Sequence, residues 1–322
     1  MVRSDLGRQI MQPIVECVMN VSEGRDTAKL QAIAREIETV PEAFLLEEEY
    51  DPDHHRSVFS FIGTPSAIFE ATFAAVKKAV RLIDMRVHRG VHPRIGAVDV
   101  IPFVPLRSVS MEECVEIACR LGKKISQVLQ IPVYLYAEAA SRPELEYLWV
   151  IRKGQFEGLR EQIKSDASRK PDFGPNRLHP TAGATIVGAR QPLIAFNVYL
   201  NTSDVALARK IADAIRGSAG GLPGVQALGF YIQHKGLAQV SMNVTDFHET
   251  SLLKVFERVQ KEAHRLQTGV VSSEIIGLVP RGAINELTIR TLHLENFHPG
   301  KLLENRIAEV MKSKRAFSCT SS

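Results

Sequence analysis

The chain has 322 residues, 45% of them hydrophobic and 24% charged, with a formal net charge of +4. This is ordinary globular composition, long enough for one large domain or two medium ones with real cores. Lys and Arg are interspersed with Asp and Glu and form no basic block, which argues against a nucleic-acid partner and suits a positive cleft for an anionic small molecule.

The first 12 residues read as a loose extension without an apolar leader core. No run in the chain approaches the ~18 apolar residues of a membrane span, so no membrane association is expected. Residues 14–20 alternate as a strand. Asp26 caps a helix with Leu30, Ile33, Ala34 and Ile37 on one stripe. Strands follow at 43–49 and 57–62, joined by a polar loop. Thr64 with Pro65 opens a helix that runs to about Ile83, and a strand is expected over 97–104. Ser110 with Glu113 is a capping box for a helix to about Gln130. A strand in IPVYLYAEA and a short amphipathic helix over 154–165 come next. The Gly- and Pro-rich run from Lys170 to Arg190 reads as one long functional loop.

The second half begins at Pro192 with the strand LIAFNVYL. Ser203 is expected to cap a helix to about Arg216. A strand pair follows around a turn at Gln233–Gly236, then a helix over about 250–266 and the strand VVSSEIIG. Two more helices are read over 281–312, and the last residues as a frayed tail. Both halves therefore read β-α-β-β-α-β, the order of the ferredoxin-like unit. The expected fold is α+β: two ferredoxin-like subdomains side by side, with a ligand groove between them. Their bounds are 13–190 and 191–306, after an extension over 1–12 and before a tail over 307–322.

Four clusters carry chemistry-bearing residues. The first is HRGVHPRIGAVDV, from His88 to Val100. His88 and His92 stand at i,i+4, but Gly90 and Pro93 argue against a helix that would present both to a metal. His92, pinned before Pro93, suits general acid–base work or is a surface histidine in a turn. Arg89 and Arg94 offer forks for carboxylates or are solvated. Asp99 either orients His92 or caps the turn. The second cluster, EEEYDPDHHRS, places five acids and two histidines between Glu47 and His55. It is either a divalent-metal site or a polar hairpin loop, with Glu49 near a strand end that reaches into clefts. The third is Phe173–Arg190, where Gly174, Gly183 and Gly188 permit close approach of a ligand and no nucleotide-phosphate pattern occurs. His179 there reads as a buried structural residue or a polar contact. The fourth is Gly220–Gly229, a ligand-covering loop or a long turn. The cysteines, Cys17, Cys114, Cys119 and Cys319, make no CxxC pair; the first three lie in apolar segments and read as core residues of a cytoplasmic protein.

Taken together, VECVMNVSEGRD, DPDHHRSVFSFIG, LIDMRVHRGVHPRIGAVDVIPFVP, IRKGQFEGL, PDFGP, HPTAGATIVGARQPLIAFNV, VSMNVTDF and SEIIGLVP resemble the glutamate formimidoyltransferase family, from about Ile14 to Asn305. The resemblance is to the stand-alone form, without the cyclodeaminase domain of animal enzymes. It implies transfer of a formimino group between N-formimino-L-glutamate and tetrahydrofolate in histidine breakdown, with tetrahydrofolate as co-substrate, no metal, and a homodimer. It places the catalytic histidine of the HPR(M/I)GA motif at His92. Glu49 and Arg94 would complete the catalytic set, and His55 and Arg56 would touch substrate. Folate would contact Gly174, Pro175, His179, Pro180, Thr181 and Gly183, and in the fourth cluster Gly220, Leu222, Gln226 and Gly229. The chain departs from the family pattern at His55 for asparagine, Glu49 for aspartate and Val91 for glutamate, and it carries Pro223-Gly224 where animal forms have a basic pair. Transfer of a formyl group from 5-formyltetrahydrofolate, folate binding with weak turnover, and a metal hydrolase built on residues 47–55 are the competing readings.

Overall fold

The computed structural model describes residues 12–295 and 297–319, with side chains up to residue 313 at the C-terminal end. Most of the expected N-terminal extension and the last three residues lie outside that range. The chain divides after Arg190 into two compact units.

The first unit begins with β1 (Ile14–Val21), whose alternation sends Val15, Cys17, Met19 and Val21 into the core and leaves Glu16, Val18 and Asn20 on the other face. Asp26 accepts from the N–H groups of Ala28 and Lys29 and starts α1 (Thr27–Glu38), which buries the expected stripe. Strands β2 (Ala43–Asp51) and β3 (Arg56–Gly63) pair antiparallel and bring Asp51 opposite Arg56 and Glu49 opposite Val58. Thr64 caps α2 (Pro65–Leu82). Strand β4 (Val98–Arg107) follows, then α3 (Met111–Leu129), opened by the Ser110–Glu113 capping box. After β5 (Val133–Ala137) come two helices in close succession, α4 (Leu148–Ile151) and α5 (Gln155–Ser165).

The long loop expected over 170–190 ends in a strand instead. Residues Thr185–Ala189 form β6, which lies between β4 and β5 and runs parallel to both. A five-residue, fully buried strand has no polar face, so it shows no alternation to mark it. The sheet order is β2-β3-β1-β4-β6-β5. Helices α1, α2 and α3 contribute apolar residues to the core formed with it, and α5 adds Phe156, Leu159 and Ile163.

The second unit repeats the order with β7 (Ile194–Leu200), α6 (Val205–Ile215), β8 (Val225–Ile232), β9 (Leu237–Val244), α7 (Leu252–Arg265) and β10 (Val270–Ile276), giving an antiparallel sheet in the order β10-β7-β9-β8. Asp204, not Ser203, caps α6: its carboxylate accepts from the Ala206 N–H at 2.8 Å. The short helix α8 (Glu286–Thr291) precedes α9 (Leu303–Cys319), so much of the stretch read as a tail is helical. The core of this unit is formed by Ile194, Phe196, Val198 and Leu200 with the apolar stripes of α6 and α7.

Candidate active site

In the first unit, Ser22, His54, His55, Arg56, His88, His92, Arg94 and Asp99 line one small cleft. They come from the residue after β1, the β2–β3 loop, the start of β3, the loop before β4 and the start of β4. Gly90 makes the packing of those two loops feasible: a Cβ there would sit 2.4 Å from the His54 carbonyl oxygen.

His92 is half-buried, and its two ring nitrogens have different partners. Nδ1 lies 2.8 Å from the Pro93 carbonyl oxygen, and Nε2 lies 2.7 Å from Nη1 of Arg56. A carbonyl only accepts and a guanidinium only donates, so the ring is the neutral tautomer with its proton on Nδ1. Burial foremost, then the positive charges of Arg56 and Arg152 and the neighbouring His54 ring, hold its pKa well below the usual histidine range.

Arg152, at the end of α4, is the residue that sequence reading missed. Its guanidinium grips Oδ2 of Asp99 through Nε at 2.9 Å and through Nη2, while Oδ1 of Asp99 accepts from the Ile95 N–H at 2.7 Å. Asp99 therefore caps the turn and neutralises Arg152, whose charge in turn acts on His92. The stretch IRKGQFEGL gave no local sign of this, because the partners stand 53 positions apart. Burial and the Arg152 charge bring Arg56 down to about 10, against the pull of Asp99, Asp51 and Glu49. Glu49 shares a sheet face with Asp51 and so faces the Arg56 side.

A second layer fixes the loops. His88 is buried; Nε2 donates to the His55 carbonyl at 2.9 Å and Nδ1 accepts from Nε of Arg94 at 3.2 Å. Burial above all takes its pKa down to about 4. Arg94 is also buried and forks onto Glu157 at 2.7 and 2.8 Å, with Gln155 at 3.0 Å. The fork that the sequence offered to a substrate carboxylate is thus filled by α5. His55 has φ +50° and stacks on His88 with ring centroids 4.3 Å apart. Its Nδ1 faces the Arg89 carbonyl and its Nε2 faces Oε1 of Glu23, both at 3.0 Å. Burial opposes ionisation of Glu23, but the N–H groups of Arg25 and Asp26 and the His55 ring outweigh it and hold the carboxyl at about 2. His54 pairs with Asp51 at 2.6 Å. The nitrogens of His88 and His92 are all turned to protein groups, and among the described residues no group of three or more His, Cys, Asp or Glu is placed to hold a metal ion.

The other predicted contacts lie elsewhere. Nδ1 of His179 accepts from the Ala182 N–H at 3.0 Å, so this ring closes its own turn. The Thr181 carbonyl accepts from the Met85 N–H at 2.7 Å. Gly183 has φ +74°, and a Cβ there would meet the Ile95 oxygen at 2.3 Å, so its lack of a side chain serves the chain's own packing. Gly174, at φ +92°, and Pro180 are exposed, while Pro175 is half-buried. In the second unit Leu222 belongs to the core and Gly229 abuts α6, which leaves Gly220 exposed and Gln226 half-buried on the opposite face of β8.

The chain matches known families over both units. A family model described as the N-terminal subdomain of the formiminotransferase domain matches residues 14–190, and one described as the formiminotransferase domain matches residues 195–298. A glutamate formimidoyltransferase of Streptococcus pyogenes is 43% identical over 92% of this chain and 99% of its own length. Its namesake in Thermoplasma acidophilum is 47% identical over 92% and 98%. The formimidoyltransferase-cyclodeaminase of Mus musculus is 42% identical over 92% of this chain and 57% of its own. A microcompartment protein structure from Desulfitobacterium hafniense aligns over 82% of the chain at 12% identity with a TM-score of 0.20, too low to inform the fold.

Proposed function

We propose that this chain, which belongs to the formiminotransferase family, transfers the formimino group between N-formimino-L-glutamate and tetrahydrofolate, giving 5-formiminotetrahydrofolate and glutamate. The observation that carries this reading is the near end-to-end match to two proteins named for that reaction. The cleft's chemistry agrees with it. The formimino carbon is an amidine carbon attacked by an amine nitrogen. The attacking nitrogen must lose a proton, and the departing glutamate nitrogen must gain one. A neutral imidazole serves both steps in turn: Nε2 of His92 takes the proton from the attacking nitrogen and hands it to the leaving one. Glu49 faces the cationic adduct and stabilises it. Arg56 receives a substrate carboxylate. Arg94 acts at one remove, fixing His88 and through it the backbone of His55.

Further parts of the proposal rest on kinship and on the order of elements. Each unit carries β-α-β-β-α-β with its first strand between its third and fourth, which supports a ferredoxin-like reading of each. Tetrahydrofolate is taken as a co-substrate, met by the outward positions of the 174–183 and 220–229 stretches. We further propose a homodimer acting in the cytoplasm in histidine breakdown; among the described residues no helix is long and apolar enough to cross a membrane. The test is a transfer assay with purified protein, tetrahydrofolate and N-formimino-L-glutamate, quenched in acid and read as methenyltetrahydrofolate by absorbance. Turnover supports the reading. Turnover only with 5-formyltetrahydrofolate and glutamate replaces it with formyl transfer, and binding of tetrahydrofolate without turnover on either pair refutes both.

A further inference from the structure

Four basic side chains around the cleft each face a carboxylate. Arg152 holds Asp99, Arg94 holds Glu157, His55 faces Glu23 and His54 holds Asp51. Arg56 is the exception. Among the described residues its side chain makes one hydrogen bond, to Nε2 of His92, and no ion pair with a carboxylate. A half-buried guanidinium has five N–H groups in a planar fork shaped for two carboxylate oxygens. Here one of the five is spent on a neutral ring. That ring is the proposed base, and the bond occupies the nitrogen lone pair that would take the proton.

We propose that Arg56 is a carboxylate-operated latch on His92: a carboxylate of the bound glutamate moiety takes up the guanidinium, draws it off Nε2, and leaves that nitrogen able to accept a proton. The inference rests on the proposed function for the identity of the carboxylate. The direction follows from charge. A guanidinium–carboxylate pair is roughly twice as strong a hydrogen-bonded contact as one to a neutral acceptor. Neutralising Arg56 also removes a positive charge that opposes protonation of the ring. The groups facing His92 from the surrounding elements are Arg56 on β3, His54 and Asp51 before it, Glu49 on β2, and the Arg152–Asp99 pair. Of these, only Arg56 lacks a carboxylate partner of its own and touches Nε2. An empty site thus keeps its base covered, and an occupied one uncovers it.

The test is a titration of the His92 ring by nuclear magnetic resonance on histidine-labelled full-length protein, with the signal assigned by its absence in His92→Gln. L-glutamate is the probe, and its saturation is followed by calorimetry. The expected result is a rise in the His92 midpoint of about one pH unit with glutamate bound, a tenfold gain in the imidazolium-to-imidazole ratio at fixed pH. In Arg56→Gln the midpoint is raised without ligand and glutamate no longer moves it. Saturable glutamate binding with an unmoved wild-type midpoint overturns the latch and leaves the transferase reading standing. A shift that persists in Arg56→Gln overturns it too. Absence of glutamate binding in wild type, together with no transfer from N-formimino-L-glutamate, overturns both readings. If Arg56→Gln does not fold, Arg56→Met carries the same two outcomes.

Discussion

Replacing Asp99 by Asn keeps the shape of the side chain and removes its charge. Asp99 is 1% exposed, and its carboxylate is the sole ion-pair partner that the structure gives Arg152 among the described residues. In the variant the amide oxygen of the new side chain can still accept from the Ile95 N–H, but its NH₂ group then turns two donors towards the donors of Arg152. Removing one partner of a buried ion pair costs about 3–5 kcal/mol, because the other charge is left uncompensated. The Arg152 side chain keeps 13% of its surface exposed and can lean towards water, which favours the lower end of that range. For a unit of this size ~3 kcal/mol corresponds to a drop of roughly 6–12 °C in the unfolding midpoint. Calorimetry and urea unfolding measure it. Asp99→Asn paired with Arg152→Met should recover most of the loss, since a buried ion pair exchanged for apolar groups is close to neutral. Turnover should not recover in the double variant, because the cleft has lost a cation and its orientation. Asp99→Asn within about 1 kcal/mol of wild type would refute the reasoning, since a buried pair cannot be so cheap to break.

His92→Gln keeps a side chain that can reach the Pro93 carbonyl but removes the proposed base; kcat should fall by roughly 10²–10⁴ with tetrahydrofolate affinity nearly unchanged, and near-wild-type turnover would move the base elsewhere. Glu16 is 5% exposed, and burial, against Arg190 and with Glu47, raises its carboxyl to about 7. Its folded state therefore binds a proton that the unfolded chain releases above about 4.5, so stability is lost as pH rises from about 4.5 to about 7. Glu16→Gln should leave stability at pH 5 little changed and raise it at pH 8.5 by roughly 3 kcal/mol, read by urea unfolding; equal gains at both values would argue against the linkage. His55→Asn removes a ring that helps hold Glu23 at about 2. The Glu23 contribution is present above about 4.5 and fades as pH falls towards about 2, so the variant should lose roughly 1 kcal/mol at pH 7 and nothing near pH 2. A loss of equal size at both ends would place the effect in the stacking on His88 instead.

How much of this was readable in the sequence depended on how local the determinant is. The caps at Asp26, Thr64 and Ser110 were legible because a cap and its N–H partners lie within three positions. The stripe on α1 was legible for the same reason. Strand β6 was not, because its five residues follow a Gly- and Pro-rich run and are buried on both faces. Ser203 and Asp204 are adjacent capping types, and only the backbone path decides that Asp204 takes the Ala206 N–H. In the site, His92 stood out through its Pro and Gly neighbours, and Arg56 through its place in the polar hairpin. Arg152 and Glu157 did not stand out, since each finds its partner across more than 50 residues of chain. Arg94 shows the opposite failure: its type and position advertised a substrate contact, and the fold spends it on Glu157.

As the proposed base His92 looks mismatched, since burial, then Arg56, Arg152 and the His54 ring, oppose its protonation. The mismatch resolves once the substrates' charges are counted. Because the ring is neutral at pH 7, the whole population starts in the form that can take a proton, whereas an unperturbed histidine would be partly protonated. In the proposed reaction the proton leaves a cationic adduct, which is far more acidic than a free amine, so a weak base suffices. The glutamate moiety brings carboxylates that offset the surplus positive charge when it binds. Glu49 shares the sheet face of Asp51 and Arg56, and its carboxylate is the group proposed to offset the charge of the adduct. A stronger base would be a worse design here: it would hold the proton that the departing glutamate nitrogen needs. In the proposed transfer, the same surroundings that weaken His92 as an acceptor therefore strengthen its imidazolium as a donor in the second half, and substrate binding sets the balance between the two.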